Sequence, residues 1–502
     1  TGEAASDGLL DLMRSPPAKH RPLPFWSWNA RLDKPRMAWQ IGQMKTRAGG
    51  YFMHARSGIE TEYLGEEWLG WIATGIEEGK QQGLQAWIYD EEGWPSGFAG
   101  GIVTALDPDF HGRRLRLSDW QPEMVEEYGG ELVGLYTLSA GTCHHLDVSQ
   151  ARVACRMGGQ VMAVWRFVNP YYIDVMNAKA VKAFIDSTHE LYWRRFGADF
   201  GQGMAGFFTD EPRLIWDNEG DIPWSLQLPG LFRADFGYEL LDRLPLLFQD
   251  LPGSTALRHD YWKTVNRLFT TSYMEQIFRW CDEHHCELTG HVMMEESVFA
   301  QMIGTGGAMP SYEFLHRPGI DWLRRTIASP IVPKQVSSVA EQLGKAAVLT
   351  ETYGLCGWNV SFEELKWIAD WQYLNGVNLM CQHLEAYSLR GFRKRDYPPS
   401  LFYQQPWWEE YPRFTDYLTR LGTLLASGLT AAGTLVLHPM HSGWLRFDGS
   451  NNPAIQRLDA DFIRTVETVA GLHFEYHLGD ETILARHASV DGGCLRVGSA
   501  NY

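Results

Sequence analysis

No uninterrupted apolar stretch in this chain approaches the roughly 20 residues that cross a bilayer. Residues 1–19 are polar and carry no apolar signal core, which sets an expectation of a cytoplasmic protein with no membrane partner. Positive charge is scarce: the net charge is −17. Nucleic acid and anionic lipid both require clustered Lys and Arg, so neither is expected as a partner. The seven cysteines are odd in number and lack close metal-type pairing; Cys281 and Cys286 bracket His284 and His285 on an expected helix end. That usage suits a reducing compartment. Internal repeats and low-complexity tracts are also missing, and the sequence leaves homo-oligomerisation open.

What is present is a long globular chain. At 502 residues it exceeds one ordinary core, so a large barrel plus a smaller unit is the natural prior. Its 45% hydrophobic and 21% charged content excludes disorder as the main state. The 21 tryptophans are the informative number. Several stand beside polar residues: Trp26, Trp28, Trp94, Trp358, Trp407 and Trp408. Sugars offer apolar C–H faces, and Trp supplies a rigid surface with an N–H handle.

Short apolar runs alternate with amphipathic segments, the sign of parallel strands joined by crossover helices. Strands are expected at 23–29, 50–54, 84–90, 204–209, 286–291, 309–314, 346–351 and 377–385. Helices are expected at 34–48, 66–82, 178–196, 332–343, 361–375 and 408–427, with a long helical stretch over 225–285. The pattern breaks at about 98–168, which reads as a β-rich insertion after strand three. The expected fold is α/β: a (β/α)8 TIM barrel over residues 1–428, followed at 429–502 by a partial or small α/β domain.

Active sites of such barrels lie at the C-terminal ends of the strands. The expected ends carry Trp28 and Asn29, His54 and Arg56, Asp90 and Glu91, Asp210 and Glu211, His291 with Glu295, Glu313 with His316, Glu351, and His383 with Glu385. Trp94, Tyr353 and Trp358 join them as sugar-contact candidates. Glu211 and Glu351, each closing an apolar run, are the candidate catalytic pair, one as proton donor and the other as base or nucleophile. Strand alternation is expected to point Asp210 and Glu211 to opposite sides, which selects Glu211 as the acid.

The runs Pro24-Phe25-Trp26-Ser27-Trp28-Asn29, Phe52-Met53-His54-Ala55-Arg56, Trp87 to Gly97 (with Asp90-Glu91-Glu92-Gly93-Trp94-Pro95-Ser96) and Phe208-Thr209-Asp210-Glu211-Pro212 resemble bacterial glycoside hydrolases related to family 106. That family contains the α-L-rhamnosidases. The resemblance covers most of residues 20–430. It implies a glycosidase barrel acting on a carbohydrate substrate, an inverting mechanism and calcium dependence. The segment from Gly433 to Pro439 is similar to the domain that follows the barrel in family 42. A retaining β-galactosidase-like enzyme is therefore an alternative, with carboxylates about 5–5.5 Å apart rather than about 6.5–9.5 Å. Two further alternatives are a metal-dependent barrel hydrolase using His54, His291, His383 and Asp90, and a non-catalytic sugar-binding barrel.

Overall fold

A computed structural model describes residues 2–124, 129–139, 142–214 and 218–502, with side chains from residue 8 onward. Parts of the expected insertion, at 125–128 and 140–141, lie outside the described residues.

The strands β1 (Phe25–Trp28), β2 (Gly50–Ala55), β3 (Gln85–Tyr89), β4 (Met204–Asp210), β5 (Glu287–His291), β6 (Arg317–Trp322), β7 (Leu349–Thr352), β8 (Leu379–Gln382) and β9 (Glu385–Ala386) form one parallel sheet. The last two are halves of a single eighth stave: β8 pairs with β7 and β9 pairs with β1, which closes the barrel. Residues of β2 and β4 are buried throughout, as expected for strands covered by helices on one side and packed into a lumen on the other. The lumen is filled by aromatic rings. Phe25 meets Phe208 edge-on at 4.8 Å between centroids and Phe52 at 5.6 Å.

Glycines set how closely two staves approach. A Cβ on Gly206 would lie 1.9 Å from the Glu287 carbonyl oxygen, and one on Gly290 (φ 138°) 1.9 Å from that of Thr209. Only glycine allows this approach, which places His291 opposite Asp210 in register.

Strand six is a correction. The run 309–314 is not a strand; Met309–Tyr312 is a short helix with Pro310 in its first turn. The true stave, β6, contains Pro318 and Gly319, residues that read as a turn. Gly319 is there because its Cβ would meet the Gly290 carbonyl oxygen at 2.7 Å. The helix expected over 178–196 is two, Ala178–Ser187 and His189–Phe196, broken at Thr188, whose hydroxyl donates back to the Phe184 carbonyl at 2.7 Å.

The excursion after β3 is a five-stranded antiparallel sheet of Thr142–Leu146, Glu131–Ser139, Met162–Ile173, His111–Asp119 and Asp221–Trp224. Its last strand is recruited from beyond β4. Buried Asp221 there holds Arg114 and Arg116, each Nε at 2.7 Å. The C-terminal segment pairs Thr434–Leu437 with Tyr476–Gly479 in parallel and ends in three short antiparallel strands. Trp444 Nε1 anchors it by donating to the Gly306 carbonyl at 2.6 Å. No helix among the described residues is long and apolar enough to cross a membrane.

Candidate active site

At the C-terminal mouth of the barrel lies a cavity of about 790 Å³. Glu211 follows β4, Glu351 lies on β7, Asp321 on β6 and Arg56 follows β2, and all four line it. Asp210 lines it as well. The alternation expected to separate Asp210 from Glu211 fails because Glu211 leaves the strand with φ 47°, a left-handed conformation rare outside glycine and found where surrounding structure enforces it.

The loop after β3 builds one wall. The Glu91 carboxylate accepts backbone N–H groups from Glu92 (2.9 Å), Gly97 (3.2 Å), Phe98 (2.9 Å), Ala99 (2.7 Å) and Gly100 (2.5 Å). Glu91, expected as a sugar contact, is thus the loop's internal anchor and does not line the cavity. Ser96 fastens the same loop to β4: its hydroxyl donates to Asp90 at 2.5 Å and accepts the Asp210 N–H at 2.8 Å. So held, Trp94 donates Nε1–H to Glu211 Oε2 at 2.6 Å while remaining 46% exposed. The sequence motif around Asp90 and Trp94 therefore works largely as scaffold, with the Glu92 and Trp94 side chains delivered to the cavity.

Beneath the floor, His291 Nε2 lies 2.9 Å from Glu351 Oε2 and 3.5 Å from Asp210 Oδ1. The Tyr89 hydroxyl donates to Asp210 Oδ2 at 2.6 Å and its ring stacks on His54 at 3.5 Å. Burial opposes a charge on His291, but its hydrogen bond to Glu351 and the Asp210 charge outweigh this and raise its pKa well above normal, so it carries a proton. Burial, then the charges of Asp210 and Glu351, push the Glu211 carboxyl up to about 8, against the pull of His291 and the Trp94 N–H. Asp321 is also raised well above normal, by burial first and then Glu351, and its buried Oδ1 has no partner. Glu351 is raised by burial and Asp210, with His291 drawing it back. One carboxyl is thus held protonated near neutral pH while another lies beside an imidazolium, an environment split of the kind that separates an acid from a base.

Of the other expected ligands, His383 lines the cavity, neutral because burial and then Arg56 lower its pKa to about 3. His54, Asp90 and Glu295 are buried below or beside the floor. Trp28 packs outside the lumen against Trp26 and Trp68. Asn29 clamps the Ser388 backbone in both directions, at 3.0 and 2.9 Å. The Tyr353 hydroxyl donates to the Leu365 carbonyl, Trp358 to that of Lys394, and Glu385 is buried near Arg47. None of Trp28, Asn29, Tyr353, Trp358 or Glu385 lines the cavity. Sequence reasoning missed Asp321, because strand six was placed too early, and Asp396 and Tyr397, which arrive on an irregular segment without periodicity.

Calcium takes six to eight oxygen ligands. The tightest donor group, Asp210, His291 and Glu351 with one atom of each within 4.8 Å of the others, offers two carboxylates around an imidazole whose facing nitrogen is protonated. It fits an internal ion cluster and does not fit a calcium cage. The histidines of the metal-hydrolase alternative do not assemble either, since His54 and His383 stand apart from this group.

The chain aligns over its length with solved glycosidase barrels. A rhamnosidase from Novosphingobium sp. PP1Y superposes with a TM-score of 0.72 at 14% identity, covering 98% of this chain and 66% of that one. A GH42 beta-galactosidase from G. stearothermophilus, solved as a catalytic mutant, gives 0.54 at 10% identity, covering 92% and 66%. A putative beta-glucuronidase of Formosa agariphila is 24% identical over 281 residues, 53% of this chain but 22% of that protein. The chain thus spans just under two thirds of the rhamnosidase and about a fifth of the curated relative. The sequence model of glycoside hydrolase family 106, described as alpha-L-rhamnosidase, matches residues 166–466. That is more than half of the chain, and the protein belongs to glycoside hydrolase family 106.

Proposed function

We propose that this barrel hydrolyses the bond between a terminal neutral sugar and its aglycone or neighbouring sugar, with α-L-rhamnose as the sugar. The observation that carries the reading is Glu211, protonated at neutral pH, lining the same cavity as Glu351. Glu211 gives its proton to the glycosidic oxygen as the C1–O bond breaks. A water attacks C1 and passes its proton to Glu351, whose Oε2 is oriented by His291. The outcome is inversion at C1. Ile59, Phe98, Met293 and Leu323 give the cavity apolar surface suited to the methyl group of a 6-deoxy sugar. A panel of aryl glycosides followed by NMR tests both parts. Hydrolysis of the α-L-rhamnoside with an inverted first-formed anomer is expected. A retained anomer would make Glu351 the nucleophile, and absence of hydrolysis across the panel would overturn the reading.

A further inference from the structure

The chain carries −17, yet four of the six residues from Arg390 to Arg395 are cationic: Arg390, Arg393, Lys394 and Arg395. They follow β9 and span the short 3₁₀ helix Gly391–Arg395, in which no residue is buried. The segment leads directly into Asp396 and Tyr397, both of which line the barrel-mouth cavity.

Runs of like charge repel and are ordinarily loose, but this one is tied to the rim on two sides. On one side Arg393 donates Nε–H to the Asn29 carbonyl and an Nη–H to that of Gly58 at 3.0 Å, and Gly58 lines the cavity. On the other, Trp358 Nε1 donates to the Lys394 carbonyl at 3.0 Å and the Gly357 N–H to that of Pro398 at 2.8 Å. Arg393 is thus a brace. Arg390, Lys394 and Arg395 are exposed and stand beyond the cavity lining. Asp396, the carboxylate next to them in sequence, is taken by Arg56. Among the described residues none of the three has an ionic partner; Arg395 lies over the Phe392 ring, 5.3 Å from its centroid.

The cavity beneath is lined by carboxylates, so a glycan rising out of it passes from an acidic depth to a cationic rim. With the terminal sugar held at Glu211 and Glu351, whatever adjoins it must leave through this mouth. Tyr397, 46% exposed and 5.6 Å from the His383 ring, offers an aromatic face to a sugar at that level. Resting on the hydrolase reading above, we propose that Arg390, Lys394 and Arg395 bind an anionic group, a uronate carboxylate or a sulfate ester, on the glycan next to the terminal neutral sugar. The substrate class is then an acidic glycan capped by a neutral sugar. The guanidinium fork matches the oxygens of a carboxylate or a tetrahedral oxyanion, and the ammonium of Lys394 adds a point charge. All three cations are exposed, so their attraction is screened by salt.

The test compares three disaccharides with terminal α-L-rhamnose in one linkage: on glucuronate, on glucose 6-sulfate and on glucose. At about 10 mM salt, at least one acidic disaccharide should be cleaved about tenfold more efficiently in kcat/KM than the neutral one, with the ratio falling towards one at about 1 M. Whichever acidic substrate leads identifies the anion as carboxylate or sulfate. The combined variant Arg390→Gln, Lys394→Gln, Arg395→Gln should abolish the preference, chiefly through KM for the acidic substrate. If it fails to fold, Lys394→Gln and Arg395→Gln singly should each lower the ratio about twofold. Calorimetric binding of the same disaccharides to Glu211→Gln reads the preference without turnover. Acidic preference in binding with no hydrolysis by the wild-type enzyme would sink the hydrolase reading and support this one. Absence of any acidic preference in turnover and binding, or an unchanged ratio in the variants that fold, overturns the proposal.

Discussion

Glu211 carries the proposed proton transfer because its environment favours keeping a proton on it. Glu211→Gln removes the donor but preserves the shape and the Trp94 contact, so kcat should fall about 10³-fold with substrate affinity retained. The loss should shrink for leaving groups that depart without protonation; an unchanged kcat would remove Glu211 from the mechanism. The same residue sets a pH limit. A donor must be protonated, so activity should persist below and fall as pH rises through about 8. The Trp94 N–H stabilises the ionised form, so Trp94→Phe should move that limb to higher pH. A limb that stays in place would show that another group governs it. His291 leads to a third expectation. Because the cluster carries its own cation, adding calcium to chelated enzyme should leave kcat at 25 °C unchanged; calcium-restored activity would sink the ion-cluster description.

The staves hold these residues only because β4 and β5 approach so closely. Gly206→Ala would drive a methyl group into the Glu287 backbone, where no side chain can yield. We expect a loss of about 3 kcal/mol or more, read from urea unfolding, together with lost activity as Asp210 and His291 separate. A variant of wild-type stability would refute the packing account. Strands of this kind were legible where burial makes them continuous apolar runs, as at Met204–Asp210, and helices where caps and spacing agree, as at Glu66–Gln82. β6 was hidden because close approach demands Gly319 and the stave tolerates Pro318, both of which signal a turn in isolation. That one displacement concealed Asp321. The polar strand ends were equally ambiguous: Asn29 and Glu91 look like ligands in sequence, yet both satisfy backbone groups, a distinction that depends on loops whose paths follow no periodicity.

At the scale of the whole molecule, charge is expected to select among sugars in the proposed reaction. The chain carries −17, and acidic side chains outnumber basic ones in the cavity lining as well. Glu92, Asp210, Glu211, Asp321, Glu351 and Asp396 line it, against Arg56 as the one Lys or Arg among its described lining residues. That guanidinium is already spent. Asp396 takes Arg56 Nε at 3.0 Å and an Nη at 2.5 Å, outweighing the burial that opposes the charge. A uronic acid would therefore bring a carboxylate into a cavity with no free cation among its described lining residues to receive it, whereas a neutral 6-deoxy sugar has nothing to desolvate but hydroxyls and a methyl group. An aryl glucuronide should consequently be turned over at least about 10²-fold less efficiently, in kcat/KM, than the best neutral glycoside, equivalent to about 2.7 kcal/mol. Asp396→Asn releases the Arg56 charge and should narrow that ratio, chiefly by lowering KM or Ki for the uronate. Equal turnover of the two substrate classes by the wild-type enzyme, or an Asp396→Asn variant with an unchanged ratio, would show that the Arg56–Asp396 pair does not set the charge preference.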